Sequence, residues 1–391
     1  MVTRVNEDSV AWRDPKRYLW PLGLAAPLGP FIAWALVHTL GLGLFWAFGA
    51  FLWLIFIPFI DLVTGPDNSN PPEEAMAALE RNRYYRWCLY LYLPLQYLGL
   101  FFGCYFLVHE PMGSGERAAL AVTLGVSAAI GINVGHELVH RLPGSERTLG
   151  KWALAQSFYG HFCVEHKYGH HVRVATPEDF ATARFGESFW AFLPRSIFGG
   201  IRSSWRLERA RLERHGQRVW SRGNNLLVAW SMSVVCFAPL ILLFGWGLLP
   251  WIAIQAAIAI LLLESANYLE HYGLLRQKRP NGNYERITPQ HSWNSDQLCS
   301  NLFLYHLQRH SDHHANPGRR YQLLRSFKES PQLPSGYVVM IILSLFPPLW
   351  RRVMDHRVLA HYGGDLTLIN VCPRKRERVV RRYGTGAYAT S

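Results

Sequence analysis

The apolar part of the chain begins with YLWPLGLAAPLGPFIAWALVHTLGLGLFWAFGAFLWLIFIPFI at residues 18–60, a stretch without a single Lys, Arg, Asp or Glu. An α-helix needs about 20 apolar residues to cross the hydrocarbon core of a bilayer, so these 43 residues are long enough for two crossings. The Gly-Leu-Gly sequence at 41–43 is typical of a tight turn between two helices. The stretch therefore predicts a hairpin of two membrane spans, at about 18–40 and 42–63.

Four further stretches have the same apolar character, at about 87–108, 118–139, 224–245 and 248–271. Half of the chain is hydrophobic and only 17% is charged, which is a low fraction for a water-soluble protein. We therefore predict an all-α integral membrane protein with six spans in three hairpins. Residues 1–391 are expected to form one membrane-embedded domain.

The basic residues lie almost entirely on one side of the predicted spans. All Lys and Arg residues except Arg117 fall on the side that holds the chain termini and the two long polar segments 140–223 and 272–391. Cytoplasmic segments of membrane proteins are enriched in Lys and Arg, so both termini and both segments are predicted to be cytoplasmic. Topology and contact with anionic lipid account for the net charge of +13, and no nucleic-acid partner is expected.

Two segments outside the spans also have helical character. The arginine-rich segment 201–220 is amphipathic, which favours a helix at the membrane surface over a helix that binds nucleic acid. The segment 336–350 is apolar but short and interrupted by proline, so it predicts a buried or interfacial helix rather than a seventh span.

The histidines fall mainly into four motifs at the ends of the spans and in the polar segments. NVGHELVHR (133–141) closes the fourth span, and VEHKYGHHV (164–172) and LQRHSDHHANP (307–317) follow in the polar segments. A single histidine follows Glu270 in ANYLEHYGL (266–274), at the same end of the sixth span. Spacings of three and four residues place imidazoles on one face of a helix, where they can meet at a metal ion. Because all four motifs lie on one side of the membrane, we predict a metal centre built from His136, His140, His166, His170, His171, His271, His310, His313 and His314.

Nine imidazoles exceed what one ion can bind, so we expect two ions with four to five histidines each. Imidazole is a good ligand for zinc, copper and iron. His306, four residues before His310, is the next candidate ligand. Neutral ligands leave the positive charge of the ions uncompensated, and acids adjoin the candidate ligands. We predict that these acids orient the imidazoles or balance charge: Glu137, Glu165, Glu270 and Asp312.

Together these motifs resemble the histidine boxes of the membrane-bound alkane 1-monooxygenases, within the integral-membrane desaturase and hydroxylase superfamily. HELVH, EHKYGHH and LQRHSDHH resemble the three boxes, and NYLEHYG resembles a sequence specific to the alkane hydroxylase branch. The resemblance runs over nearly the whole chain, from KRYLW at 16–20 to GGDL at 363–366. It implies six spans with a cytosolic helical cap, and a non-haem di-iron centre held by the nine histidines. It also implies a location in the bacterial inner membrane.

The resemblance further implies a reaction, the hydroxylation of the terminal carbon of medium-chain n-alkanes to 1-alkanols with O2. The electrons then come from NADH through a rubredoxin reductase and rubredoxin. The six cysteines include no Cys-x-x-Cys pair, so the donor is expected to be a separate protein or a further domain. Rubredoxins are acidic, which makes the basic stretches 201–222 and 318–328 candidate docking surfaces.

An alkane dissolves in the bilayer, so a narrow apolar channel between the spans could admit the end of the molecule first and make the reaction terminal. Aromatic residues of the spans are candidates for the channel wall. By resemblance, Trp53 matches a position that limits the length of the substrate. The other candidates are Phe56, Tyr92 and Phe101.

Three alternatives stay open at this point. A fatty-acyl desaturase or another hydroxylase of the same superfamily shares the metal chemistry and differs in its channel and product. An intramembrane zinc protease needs only His136, Glu137 and His140, and leaves the other clustered histidines unexplained. A metal transporter binds its ion near the middle of the membrane, not at one face.

Overall fold

The computed structural model describes residues 12–384, a range that contains helices, loops and four isolated β-bridges but no strand. The prediction of an all-α fold is confirmed. The predicted cytoplasmic termini, residues 1–11 and 385–391, lie outside the described range.

In chain order the helices are α1 (Gly29–Leu40), α2 (Gly43–Thr64), α3 (Glu73–Arg81), α4 (Arg83–His109), α5 (Ser114–Val139), α6 (Gly144–Ala155), α7 (162–173), α8 (Phe189–Arg214), α9 (Asn225–Phe244), α10 (Trp246–Glu270), α11 (Leu298–Phe303), α12 (His310–Ala315), α13 (Tyr337–Ser344), α14 (Pro347–His361) and α15 (Arg376–Tyr383).

Five of these helices are long and apolar enough to cross a membrane, namely α2, α4, α5, α9 and α10. Their bounds agree with five of the predicted spans to within four residues. The predicted span at 18–40 is not one continuous helix, because only the 12 residues of α1 form a regular α-helix there. Pro21, Pro27 and Pro30 remove backbone N–H groups and clash with the preceding turn, so Trp20–Ala25 forms a separate 3-10 turn. Helix α1 is about 18 Å long, which is shorter than a hydrocarbon core of about 30 Å, and the count of six spans stays a prediction.

Helix α5 lies at the centre of the bundle and contacts α2, α4, α6 and α10. It is rich in Gly, Ala and Ser, and small residues let membrane helices approach closely. A Cβ atom at Gly125 would lie 2.7 Å from the Cβ atom of Ile258, and one at Gly135 would lie 3.0 Å from the carbonyl oxygen of Gly150. This packing fixes the C-terminal end of α5, where the first histidine motif begins.

The two segments predicted to be helices outside the spans are helical only in part. Residues 201–214 belong to α8, whereas 215–220 are not helical, and 336–350 contain α13 and the beginning of α14, separated by a turn at 345–346. Helix α13 buries Tyr337 and Ile341 and packs against α10. Helix α8 buries Ser204 and exposes Trp190 and Phe198, the latter to 71%. Exposed aromatic side chains on an amphipathic helix are typical of a membrane–water interface.

Candidate metal centre

The nine histidines of the four motifs converge in one region of the protein. All of them are buried except His171, which is partly buried. Their ring nitrogens form two groups, in each of which the ligand atoms lie within 4.8 Å of one another. The first group, site A, contains His136, His140, His166, His171 and His313, and the second group, site B, contains His170, His271, His310 and His314.

The distances between the imidazole nitrogens fit ligands of a common ion. Two nitrogens bound at right angles, each about 2.1 Å from a metal, lie about 3 Å apart. In site A, the Nε2 atom of His313 lies 2.9 Å from Nε2 of His136 and 3.0 Å from Nε2 of His171. In site B, the Nε2 atom of His314 lies 2.8 Å from Nε2 of His310. The residues of both sites therefore fit a metal ion, one for each site.

The first motif supplies two nitrogens of site A from one helix end. His136 and His140 are four residues apart at the end of α5, and their ring centroids lie 5.3 Å apart, as the spacing predicts. The Nε2 atom of His140 is buried and has no hydrogen-bond partner among the described residues. A buried polar atom without a partner is rare, and a bound metal ion would satisfy it.

The second motif does not follow α-helical geometry. Glu165–His170 form a π-helical turn, in which backbone hydrogen bonds join residues five apart. His166 and His171 are five residues apart, and their Nε2 atoms lie 3.0 Å apart in site A. On an α-helix, residues five apart point about 140° away from each other. Although His170 lies four residues after His166, the wider turn places it in site B.

The third motif divides between the two sites. On the short helix α12, His313 belongs to site A, whereas His310 and His314 belong to site B. His271, directly after α10, completes site B, with its Nε2 atom 3.2 Å from Nε2 of His310. Because the second and third motifs each contribute to both sites, the two sites are adjacent.

The imidazoles are in the form that binds metal. Burial, followed by the proximity of other imidazoles, lowers the pKa of His166, His171, His313 and His314 well below its usual value. These side chains are therefore neutral at pH 7, and neutral imidazole is the form that donates a lone pair to a metal ion.

Two histidines of site B are oriented by hydrogen bonds at their other ring nitrogen. The Nδ1 atom of His170 lies 2.8 Å from Asp179 Oδ2, and the Nδ1 atom of His271 lies 2.9 Å from the carbonyl oxygen of His291. An Nδ1–H group that donates to either oxygen leaves Nε2 as the metal-binding atom. Sequence reasoning missed Asp179, because it lies nine residues after His170 in a loop and no helical spacing connects the two.

Among the four acids predicted to lie beside the ions, Glu270 contacts a candidate ligand. Its Oε2 atom lies 3.2 Å from Nε2 of His310, and its Oε1 atom is buried without a hydrogen-bond partner in the described structure. Each of the other three forms an ion pair with an arginine, and their predicted role beside the ions stays a prediction. The pairs are Glu137 with Arg141, Glu165 with Arg173, and Asp312 with Arg319.

The position of Glu137 argues against the zinc protease. In that class the glutamate of the His-Glu-x-x-His motif acts as a general base and must face the metal-bound water. Here the carboxylate of Glu137 pairs with Arg141 and accepts a hydrogen bond of 3.2 Å from the backbone N–H of Tyr321. The carboxylate of Glu137 therefore has a structural role, because it links the end of α5 to the chain at Tyr321.

His306, the next candidate ligand from the sequence, lies outside both sites. Its Nδ1 atom lies 2.9 Å from the carbonyl oxygen of Tyr321, and its ring packs edge-on against Trp20 at 4.7 Å. His306 therefore ties the chain before α12 to the N-terminal turn instead of contributing a ligand.

An apolar cavity of about 40 Å3 adjoins both sites and lies between the membrane helices. Its wall includes Trp53 of α2, Leu262 and Leu263 of α10, His136 of site A and His310 of site B. Trp53 is buried and lies in a second π-helical turn, Leu52–Phe56. A side chain of the second predicted span thus shares one cavity with both groups of histidines.

The other three aromatic residues considered for the channel wall are not among the residues that line this cavity. Phe56 and Phe101 are exposed on the outer surface of the bundle. Tyr92 is buried and donates a hydrogen bond of 2.7 Å to the carbonyl oxygen of Ser127. Among these candidates, only Trp53 contacts the cavity.

Comparison with known proteins gives the family. Residues 117–344 match the fatty acid desaturase family. The chain is 42% identical over 374 residues to the alkane 1-monooxygenase of Acinetobacter baylyi, covering 95% of this chain and 92% of that protein. It is 43% identical over 381 residues to alkane 1-monooxygenase 1 of Alcanivorax borkumensis, covering 97% of this chain and 94% of that protein. The chain therefore belongs to the alkane 1-monooxygenases, within the fatty acid desaturase family.

Proposed function

We propose that this chain hydroxylates the terminal carbon of medium-chain n-alkanes to 1-alkanols, with O2 as co-substrate and two non-haem iron ions bound in sites A and B. The names of the relatives support the reaction and the substrate class. One structural observation carries the proposal: nine imidazoles in groups of five and four adjoin an apolar cavity between membrane helices. The whole chain acts as a single membrane-embedded catalytic domain.

The protein contributes the ligands, their orientation and a dry environment. Helix α5, the π-helical turn, the end of α10 and helix α12 present the nine imidazoles, and Asp179 and the backbone of His291 orient two of them. Imidazole ligands suit iron. When bound, the two ions supply the activation of O2 and the oxidation of a C–H bond, which no side chain can perform. Burial of the ligands keeps bulk water away from the reacting atoms.

The cavity explains why the terminal carbon reacts. The end of an alkane that enters from the bilayer would meet a wall of apolar side chains beside His136 and His310. Trp53 restricts the length of chain that fits, because its indole occupies part of the same wall. A narrow cavity that positions one end of the substrate at the metals converts binding energy into orientation.

The cavity also favours a hydrocarbon over an acyl substrate. Its lining contains no Lys or Arg that could hold a carboxylate, a phosphate or an acyl carrier. A fatty-acyl desaturase would share the two metal sites but needs a place for the polar end of its substrate. The apolar wall therefore supports an n-alkane.

The side of the membrane follows from the distribution of charge. The ends of α5 and α10 that carry His136, His140 and His271 lie on the side that holds nearly all Lys and Arg residues. By the positive-inside rule, this is the cytoplasmic side of the bacterial inner membrane. Electrons then come from a cytoplasmic donor, which we propose is rubredoxin, reduced by an NADH-dependent rubredoxin reductase.

Metal analysis together with product analysis tests the proposal. The protein is purified in detergent, iron and zinc are measured per chain, and dodecane is supplied with NADH, rubredoxin and its reductase. We expect two irons and 1-dodecanol, and a His310→Ala variant should lose the product and the iron of site B. One zinc without O2 consumption would overturn the proposal, and iron without alkane turnover would favour an acyl substrate.

A further inference from the structure

The C-terminal end of the described chain carries an unusual concentration of positive charge. Six cations fall within residues 374–382, and Glu377 is the only acid among them. All six side chains are exposed, and none forms an ion pair within 4.0 Å in the part of the chain that the structure describes. We call this surface the C-terminal basic surface: Arg374, Lys375, Arg376, Arg378, Arg381 and Arg382.

This surface lies near the segment that follows the candidate ligand His271. The backbone N–H of Asn370 donates a hydrogen bond of 3.1 Å to the carbonyl oxygen of Gly273, which follows the candidate ligand His271 by two residues. A cavity of about 370 Å3 is lined both by Leu275, four residues after His271, and by Arg376 of the basic surface. A protein bound at this surface therefore lies next to the segment that carries a ligand of site B.

The two basic stretches favoured by the sequence are less available to a partner. The cations of 318–328 are largely neutralised, since three arginines bind carboxylates of other segments. The pairs are Arg319 with Asp312, Arg320 with Glu146, and Arg325 with Glu73.

The stretch 201–222 has a different environment. Arg209 and Arg211 are paired with Glu213 and Glu208 on the same helix. Trp220 is 78% exposed, and the preceding turns of α8 expose further aromatic side chains. Cations beside exposed aromatic side chains are typical of a helix at a membrane surface, so this stretch suits lipid better than a water-soluble partner.

The C-terminal basic surface lacks such apolar side chains. Among the described residues after Leu349, no large hydrophobic side chain is exposed. A cationic surface without side chains that insert into a bilayer suits a water-soluble partner of opposite charge. The reaction requires such a partner, because RH + O2 + 2 H⁺ + 2 e⁻ gives ROH + H2O, and a one-electron carrier must bind and leave twice in each cycle.

We propose that the C-terminal basic surface is the docking site of the small acidic electron carrier that reduces the metal centre. This inference rests on the proposed function. Opposite charges steer the carrier to the surface and set its orientation, and an interface that consists mainly of charge allows rapid dissociation after each electron transfer. A carrier bound here lies beside the segment that follows His271, a candidate ligand of site B.

A charge-neutralising variant with a matched control tests the docking site. The test variant combines Arg374→Gln, Arg378→Gln and Arg381→Gln, and the control combines Arg202→Gln, Arg206→Gln and Arg214→Gln on α8. Iron-loaded protein in nanodiscs is assayed with dodecane at increasing concentrations of reduced rubredoxin. A chemical reductant replaces rubredoxin in a parallel single-turnover assay, and binding of rubredoxin is titrated without substrate.

We expect the KM and the Kd for rubredoxin to rise roughly tenfold in the test variant at low salt, with a weaker dependence on salt, because three attractive charges are lost. The control should stay within about twofold, and single turnover after chemical reduction should be unchanged in both. An unchanged Kd in the test variant would overturn the docking site. A change in the Kd for rubredoxin that appears only in nanodiscs of anionic lipid would also overturn the docking site, because it would show that the surface binds lipid. Failure of the wild type to form 1-dodecanol after chemical reduction would overturn the proposed function itself.

Discussion

The Nδ1 atom of His170 lies 2.8 Å from Oδ2 of Asp179, and neither side chain is more than 2% exposed. Asp179 also accepts a hydrogen bond of 2.6 Å from the hydroxyl of Thr182, so the carboxylate is itself held in place. A buried carboxylate behind a ligating imidazole fixes the ring and increases its basicity. This contact links a loop after α7 to site B.

Asp179→Asn should weaken metal binding at site B. The amide keeps the shape of the side chain but removes the negative charge, and loss of such a partner typically lowers metal affinity about 10- to 100-fold. Iron bound per chain, measured during dialysis against a graded chelator, checks this expectation. Glu178→Gln is the matched control. Glu178 is the exposed neighbour of Asp179, and it accepts a hydrogen bond from Tyr284 instead of contacting a histidine. Equal iron retention in both variants would contradict the assigned role.

Trp53→Leu should shift the products toward longer alkanes. The smaller side chain enlarges the cavity that Trp53 shares with His136 and His310, so a longer chain can be accommodated. The ratio of 1-alkanols formed from an equimolar mixture of octane, dodecane and hexadecane measures the shift. Phe56→Leu, on the same helix but outside the cavity wall, should leave the ratio unchanged. The same shift in both variants would show that a general loosening of α2 is responsible.

Glu146→Gln should destabilise the fold. Glu146 of α6 accepts hydrogen bonds from Tyr90 and Arg320 and is buried, so its loss leaves Arg320 without a counter-charge. Breaking a buried ion pair costs roughly 3 kcal/mol, which unfolding in detergent followed by tryptophan fluorescence would detect. Glu73→Gln removes the partner of Arg325, but Glu73 is exposed, and the loss should be below about 1 kcal/mol. Similar losses in both variants would contradict the difference in burial.

The destabilisation by Glu146→Gln should also depend on pH. Burial raises the pKa of Glu146, but the hydrogen bonds from Tyr90 and Arg320 and the charge of Arg320 outweigh it, so the pKa lies below its usual value. The ionised carboxylate therefore stabilises the folded state above the unfolded-state pKa of about 4.3, and this contribution disappears as the pH falls through the folded-state pKa. The wild type and the variant should differ at pH 7 and converge toward pH 3. A difference that widens in acid would refute this linkage.

Glu270→Gln should alter the proposed iron centre, whereas Glu137→Gln should not. Glu270 lies 3.2 Å from Nε2 of His310 and lines the cavity, so the loss of its charge changes the environment of site B. We expect a changed Mössbauer spectrum and a roughly tenfold lower rate of 1-dodecanol formation per iron. Glu137→Gln should retain the rate per bound iron even if less protein folds, because Glu137 binds Arg141 and the chain at Tyr321. Loss of the rate per iron in Glu137→Gln would revive a direct catalytic role.

The properties that could be predicted from the sequence depend on local composition and spacing: hydrophobic length, charge and the intervals between histidines. The apolar stretches that form α2, α4, α5, α9 and α10 follow from the hydrophobic length that a bilayer requires. The prediction that the basic segments share one side of the membrane follows from counting Lys and Arg residues. The prediction that imidazoles are the metal ligands follows from the histidine spacing. The helix predicted at 18–40 is interrupted near Pro21, Pro27 and Pro30, where the composition is apolar but the backbone does not continue as one helix.

The sequence by itself determined a helical membrane protein with nine histidines gathered at one side, and the tertiary structure decided how those histidines are shared. His166 pairs with His171 instead of His170 because Glu165–His170 form a π-helical turn, which no spacing rule for α-helices contains. Asp179 reaches His170, and Trp53 reaches the cavity, through contacts between segments far apart in the chain. Helical periodicity depends on local backbone geometry, whereas the assignment of a ligand to an ion depends on the packing of several segments around one point.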